Sequence, residues 1–233
     1  MIIGGIQKNS FIDFPSKISC VLFTSGCNFD CPYCHNPDLV RRTIDSKVIK
    51  LKDIFDFLKK RRFFLDAVVI SGGEPTLHPD IIGFCSEIKS MGYPIKIDTN
   101  GSRPKVLQNL ISDHLVDYIA MDIKTSFDRY YPFIAKTVKP DDVRESVLTI
   151  LHSSVAHEFR TTCIKTIVDM SAIVEISHII SGANFYALQM VSLENKKILH
   201  PEFFISRDLC YNAADMESFR TVASNFVKQV VIR

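Results

Sequence analysis

No stretch of the 233-residue sequence supplies the ~18 consecutive apolar residues that a membrane-spanning helix needs, and Met1-Ile2-Ile3 opens without the basic lead of a secretory signal. Neither sign of charge is in excess. The 28 Lys and Arg against 26 Asp and Glu leave a formal charge of +2, which makes no case for a nucleic-acid or anionic-membrane partner. Repeats, low-complexity tracts and linker-like stretches are missing. One domain over residues 1–233 is therefore expected, with a core at about 16–190 and an extension over 191–233, in a soluble cytoplasmic protein. The seven cysteines are an odd number with no secretory context, which makes a disulfide framework the least favoured reading. His78, His114, His152, His157, His178 and His200 show no ligand spacing and read as structural or surface residues. Cys20, Cys85 and Cys163 fall on strands or a helix core face and read as buried structural thiols; Cys210 is likewise isolated.

What the chain does have is Cys27-Asn28-Phe29-Asp30-Cys31-Pro32-Tyr33-Cys34, three thiols within eight residues, directly after an apolar run from Ile18 to Phe23. Thiolates this close together are suited to a shared metal or cluster. Two readings stay open on the local motif. Three thiolates with His35 satisfy tetrahedral zinc, although the adjacency of His35 and Cys34 makes joint ligation awkward. Three thiolates alone would leave one iron of a 4Fe–4S cubane without a protein ligand, and an open metal position invites a substrate to coordinate.

Beyond the motif, β-branched runs alternate with helical periods. Strands are expected at Ile18–Phe23, Ala67–Ile70, Ile95–Asp98, Tyr118–Ile123, Phe159–Ile164 and Phe185–Gln189. Between them lie helices over Leu51–Arg61, after Pro79, from Pro104 with Ser102 as cap, over Asp141–Leu151, and after Ser171 as cap; a last helix covers Met216–Val227. Lys59-Lys60-Arg61-Arg62 sits at a helix end, where cations favour the dipole. Six strand–helix units imply a parallel sheet with helices outside, an α/β fold of the incomplete (β/α)6 barrel kind whose open side admits a large substrate. Ligands bind at the carboxyl ends of strands in such folds. Here those ends carry the cysteines, Ser71-Gly72-Gly73-Glu74-Pro75, Asp98-Thr99-Asn100-Gly101, Asp122-Ile123-Lys124, Arg160-Thr161-Thr162 and Gln189-Met190, which converge on one shared site.

The C-x3-C-x-aromatic-C run, with Tyr33 as the aromatic, resembles the signature of the radical S-adenosylmethionine (SAM) enzymes. Cys34-His35-Asn36-Pro37, together with Gly4-Gly5-Ile6-Gln7 and Ile12-Asp13-Phe14-Pro15, further resembles the activating proteins of glycyl-radical enzymes, above all those of anaerobic ribonucleoside-triphosphate reductase. The resemblance covers roughly residues 1–190. It implies a 4Fe–4S cluster on Cys27, Cys31 and Cys34 whose free iron coordinates the amino and carboxylate groups of SAM. One electron then cleaves SAM to methionine and a 5′-deoxyadenosyl radical, which abstracts hydrogen from a glycine of the partner. A flavodoxin or ferredoxin would be the reductant. No side chain need act as acid, base or nucleophile.

Each strand-end motif has a use for SAM and a plainer alternative. Gly72-Gly73 permits close backbone approach and, with Glu74, acceptance of the methionyl ammonium; it is also an ordinary turn. Asp98 can accept from ribose or bind a small cation, and Thr99-Asn100 offers further polar groups; the stretch is equally an Asx-turn. Asp122 and Lys124 share one side of a strand, with Lys124 a clamp for the SAM carboxylate or half of a plain ion pair. Arg160 is a carboxylate or ribose contact, or a strand-end charge, and Tyr33 packs against adenine. An alternative is a radical SAM enzyme acting on a small molecule, such as 7-carboxy-7-deazaguanine synthase; another is the activase of pyruvate formate-lyase. Two departures stand out. Leu188-Gln189-Met190-Val191-Ser192 replaces the usual Gln-Gln-Phe-x-Pro, and Ser192–Asp215 matches nothing in the family.

Overall fold

The computed structural model describes residues 1–41, 48–135, 137–191, 197–205 and 208–233, without the side chains of residues 132 and 133. Part of the unassigned Ser192–Asp215 stretch, residues 192–196 and 206–207, lies outside the described residues. One eight-stranded sheet, in chain order β1 to β8, organises the molecule. The six expected strands are β2 (Lys17–Thr24), β3 (Ala67–Gly72), β4 (Ile95–Thr99), β5 (Tyr118–Asp122), β6 (Ala156–Cys163) and β7 (Tyr186–Met190), all parallel to one another. Two strands extend this set. β1 (Ile3–Phe14) runs antiparallel to β2 across a turn in which Ser16 takes a positive φ of 59°, and the three-residue β8 (Val230–Ile232) pairs in parallel with β7. β1 has several register shifts, so its side chains never alternate cleanly enough to be read as a strand. Among the described residues β1 and β8 do not pair, and the barrel stays open.

Helices fill the crossovers: α1 (Pro37–Val40), α2 (Leu51–Lys60), α3 (Ile81–Ser90), α4 (Pro104–Ser112), α5 (Tyr130–Phe133), α6 (Pro140–Leu151), α7 (Met170–Ile179) and α8 (Ala213–Ala223). On the outer face of the sheet, Leu22, Ile70, Ile97, Ile119 and Phe159 pack against Leu58, Ile88, Leu107, Val147 and Ile173 in one continuous core. The inner face differs. Its lower part is a small apolar cluster of Phe14, Val21, Ala67 and Val69, and charged side chains stand above it. Cys20, Cys85 and Cys163 are buried, as expected, while Cys210 is half-buried. Arg61 and Arg62 do more than complement a dipole: Arg61 donates to Asn9 at 2.8 Å, and Arg62 donates to the carbonyls of Met91 and Gly92. No helix of the described residues is long and apolar enough to cross a membrane.

Two helix caps differ from the expectation. Ser102 does not cap α4; Arg103 holds that position without a side-chain bond, while the Ser102 hydroxyl accepts from Asn28 at 2.9 Å. Ser171 lies inside α7, whose cap is Asp169, accepting the Ala172 N–H at 2.9 Å. Either residue is a good cap by type, and only the backbone's extended conformation at Asp169 decides between them. Asp169→Ala should cost about 1 kcal/mol, or roughly 3 °C in Tm, whereas Ser171→Ala should stay within about 0.5 kcal/mol. Thermal and urea unfolding of the two variants checks this; equal losses would refute the assignment.

Candidate functional site

Every site residue expected from the sequence lines one cavity of about 420 Å³ at the carboxyl ends of the parallel strands. Cys27, Cys31, Cys34 and Tyr33 come from the loop after β2, and Gly72, Gly73 and Glu74 from the end of β3. Asp98, Thr99 and Asn100 follow from β4, Asp122 and Lys124 from β5, and Arg160 from β6. Ser71, Thr162, Gln189 and Met190, which the strand-end rule already places at the shared site, line the same wall. Phe29 and Val40 are on it too, and the strand-end rule points to neither.

The loop that carries the cysteines is held by neighbouring backbone. Gly26, at φ 97°, donates to the Leu39 carbonyl at 2.7 Å, and its own carbonyl accepts the Glu74 N–H at 2.8 Å. The Gly73 N–H reaches the Thr24 carbonyl at 2.9 Å. This contact explains the glycine pair. A Cβ on Gly72 would lie 2.5 Å from the Thr24 nitrogen, and one on Gly73 would lie 2.1 Å from the Gly26 oxygen. The close approach the sequence suggested is therefore made to the cysteine strand itself.

Glu74 is fully buried. Its Oε1 accepts from the Thr76 N–H (3.1 Å), the Thr76 hydroxyl and the Thr99 hydroxyl (2.8 Å), and its Oε2 accepts from the Asn100 N–H at 2.6 Å. Burial pushes this carboxyl above the ordinary range, against the pull of those donors. The carboxylate is committed to joining the ends of β3 and β4. Asn100 continues the chain of contacts, donating to Asn28 Oδ1 at 3.0 Å in the cysteine loop.

On the inner face, the charged residues pair with one another. Asp98 accepts from Lys96 (2.6 Å) and Ser71 (2.8 Å), and Arg160 lies 3.6 Å away. Asp122 accepts from Arg160 at 2.8 Å and pairs with Lys124 at 3.1 Å. Burial opposes the charge on both carboxyls, yet Arg160 with Lys96 holds Asp98 below the ordinary range, and Arg160 with Lys124 holds Asp122 well below it. Burial likewise opposes the Lys124 ammonium, but Asp122 outweighs it and keeps the lysine charged. Lys96, only 2 % exposed, went unnoticed in the sequence because a lone lysine inside a strand carries no signal of its own.

Three thiols face this cavity, and burial pushes those of Cys27 and Cys31 up to about 12 in the absence of metal. The Tyr33 hydroxyl, buried on the same wall, has no hydrogen-bond partner among the described residues. An orphaned phenol beside three soft donors fits a site built around a thiolate-held group and a polar ligand. A 4Fe–4S cubane spreads three thiolates over separate irons and leaves the fourth iron to a ligand.

The paired carboxylates make a stability prediction with a sign. A depressed carboxyl contributes fully above its unfolded pKa of about 4 and loses that contribution as pH falls through its folded value. Asp122→Asn should cost about 3 kcal/mol in urea unfolding at pH 7. The gap between wild type and variant should stay constant from about pH 5 to 8 and shrink below about pH 4. A gap that widened on acidification would refute the ion-pair account.

Comparison with known proteins agrees with this geometry. The model of the radical SAM superfamily matches residues 21–169. A Methanocaldococcus jannaschii protein provisionally named a glycyl-radical enzyme activating enzyme is 35 % identical over 240 aligned positions, covering 100 % of this chain and 95 % of its own. A pyruvate formate-lyase-activating enzyme of Listeria monocytogenes is 32 % identical over 134 residues, 52 % of each chain. In fold, the chain is similar to Streptococcus suis SuiB bound to S-adenosylmethionine, with a TM-score of 0.62 at 16 % identity over 91 % of this chain and 51 % of that one. The superfamily works with a 4Fe–4S cluster and SAM. With its cysteine signature, its open parallel sheet and a full-length relative, this chain belongs to the radical SAM superfamily, in the family of the glycyl-radical enzyme activating enzymes.

Proposed function

We propose that this enzyme cleaves SAM at a 4Fe–4S cluster on Cys27, Cys31 and Cys34 and installs a glycyl radical on a partner protein, anaerobic ribonucleoside-triphosphate reductase. The observation that carries the proposal is where the free volume lies. The cavity of about 420 Å³ is the size that one drug-sized ligand fills. Beneath it the inner face is occupied. Lys96 and Glu158 are 2 % and 3 % exposed, Arg233 pairs with Glu158 at 3.0 Å, and Phe14, Val21 and Val69 close the floor. Among the described residues the inner face below the cavity is filled, which favours a second substrate that enters from the mouth, such as a loop of another protein. The matches to activating enzymes support the same reading.

Bound cluster and SAM supply the one-electron cleavage and the radical that takes a hydrogen atom from the partner's glycine. The chain's own groups orient and shield. Lys124 would offer its ammonium to the SAM carboxylate, and Tyr33, whose ring lies 6.0 Å from the Lys124 Nζ, would pack on adenine. The carbonyls of Gly72 and Gly73 would accept the methionyl ammonium, with Glu74 as the strut that holds the loop. Asp98 would serve the ribose, with Thr99 and Asn100 beside it on the cavity wall, and Arg160 favours the ionised form of Asp98 and Asp122. A flavodoxin or ferredoxin supplies the electron.

Anaerobic reconstitution with iron and sulfide, followed by SAM, a reductant and each candidate glycyl-radical enzyme, tests the reading. A glycyl EPR signal accompanied by 5′-deoxyadenosine is the expected result. SAM cleavage that never yields a protein radical overturns it in favour of a small-molecule substrate. Lys124→Met should weaken SAM binding to the reconstituted protein about 10-fold, the loss of one charge-assisted bond, by equilibrium titration.

A further inference from the structure

Residues 197–205 follow β7, outside the stretch matched by the superfamily model, and they return across the molecule to the cysteine loop. The contacts are specific. The Leu199 N–H donates to the carbonyl of Cys34 at 2.9 Å, and the His200 N–H to that of Pro32 at 3.1 Å. Leu199 is 1 % exposed, and its own carbonyl accepts from Arg41 at 2.7 Å. The His200 ring lies between two carboxylates, with Nε2 2.9 Å from Asp30 Oδ1 and Nδ1 2.8 Å from Glu202 Oε1. Asp30 sits inside the loop, between Cys27 and Cys31, and its N–H is taken up by the Ile134 carbonyl at 2.7 Å. Lys197 adds an ion pair with Asp38 of α1 at 2.8 Å.

We infer that residues 197–205 clamp the cysteine loop from outside, with His200 as a positioning residue that fixes the loop through Asp30 and so governs how firmly the cluster is retained. Two backbone bonds and a buried leucine set the segment against the loop. His200 supplies the one side-chain link from that segment to the span between the first two cysteines among the contacts described above. Hydrogen bonds around an iron–sulfur site orient its ligands and tune the cluster, so loosening this link should be felt at the metal. The inference rests on the cluster assignment made above.

The test uses the anaerobically reconstituted enzyme and reads iron release to a ferrous chelator, together with the EPR g values of the reduced cluster. His200→Ala and Asp30→Ala should each speed release about 5-fold, the double variant should be no faster than either single one, and His200→Gln should restore most of the retention. This non-additivity is the mark of two residues acting as one unit. Asn212→Ala, which removes the α8 cap that accepts the Asp215 N–H at 2.9 Å, should release iron at the wild-type rate. Wild-type release from His200→Ala overturns the clamp, as do additive effects of the two alanine variants. Equal acceleration by Asn212→Ala also overturns it, because global stability alone then explains the loss. If His200→Ala does not fold, Asp30→Ala and His200→Gln decide on the same readings. A wild-type chain that takes up no iron would instead sink the cluster assignment itself.

Discussion

A single glutamate with no access to water, through its carboxylate and its backbone N–H, ties together the ends of three strands. Glu74 receives Thr76, Thr99 and Asn100 on its side-chain oxygens, and its N–H bonds the Gly26 carbonyl at the root of the cysteine loop. A buried acid of this kind is costly unless its oxygens are matched, and here the donors come from two neighbouring segments. The match works only if β2, β3 and β4 end at the same height. Gly72 and Gly73 serve the same requirement, since any side chain there would collide with the backbone of Thr24 or Gly26. The site is therefore assembled by the fold before any ligand arrives.

The charges of the inner face follow a second logic. Lys96, Asp98, Asp122, Lys124, Glu158, Arg160 and Arg233 form one connected set, with Arg160 in contact with three acids. Such a set is a weak source of stability compared with apolar packing, because desolvation offsets most of the attraction. Its value lies in fixing which groups are charged. Arg160 and Lys124 hold Asp122 well below the ordinary carboxyl range and Asp122 holds Lys124 above the ordinary ammonium range, so the cavity favours one electrostatic pattern.

The six central strands were legible because β-branched runs bounded by turn residues admit little else. The cavity wall was legible because polar groups at the ends of parallel strands gather at one end of the sheet. The features without a sequence signal lack one for physical reasons. β1 is bulged and β8 has three residues, so neither shows a period. Lys96 is buried only by virtue of Asp98 two residues on and of neighbours brought in by the sheet. Glu74 was read as facing a ligand, and only the folded chain shows its oxygens turned toward Thr99 and Asn100. His200 belonged to a stretch without periodicity and was set aside as structural or surface. Its relation to Asp30 spans 170 residues, a separation no local pattern reports.

That long separation has a consequence for biosynthesis. The cysteine loop lies on the first parallel strand and leaves the ribosome early, whereas the residues that steady it are made only after every other parallel strand but β8. During translation the three thiols are thus presented on a nascent chain without their outer support. Metal delivered at that point would meet a loop with no tether, and insertion after release would meet one already tied down. A chain that has not yet reached residue 200 presents its three cysteines without the contacts of Leu199 and His200.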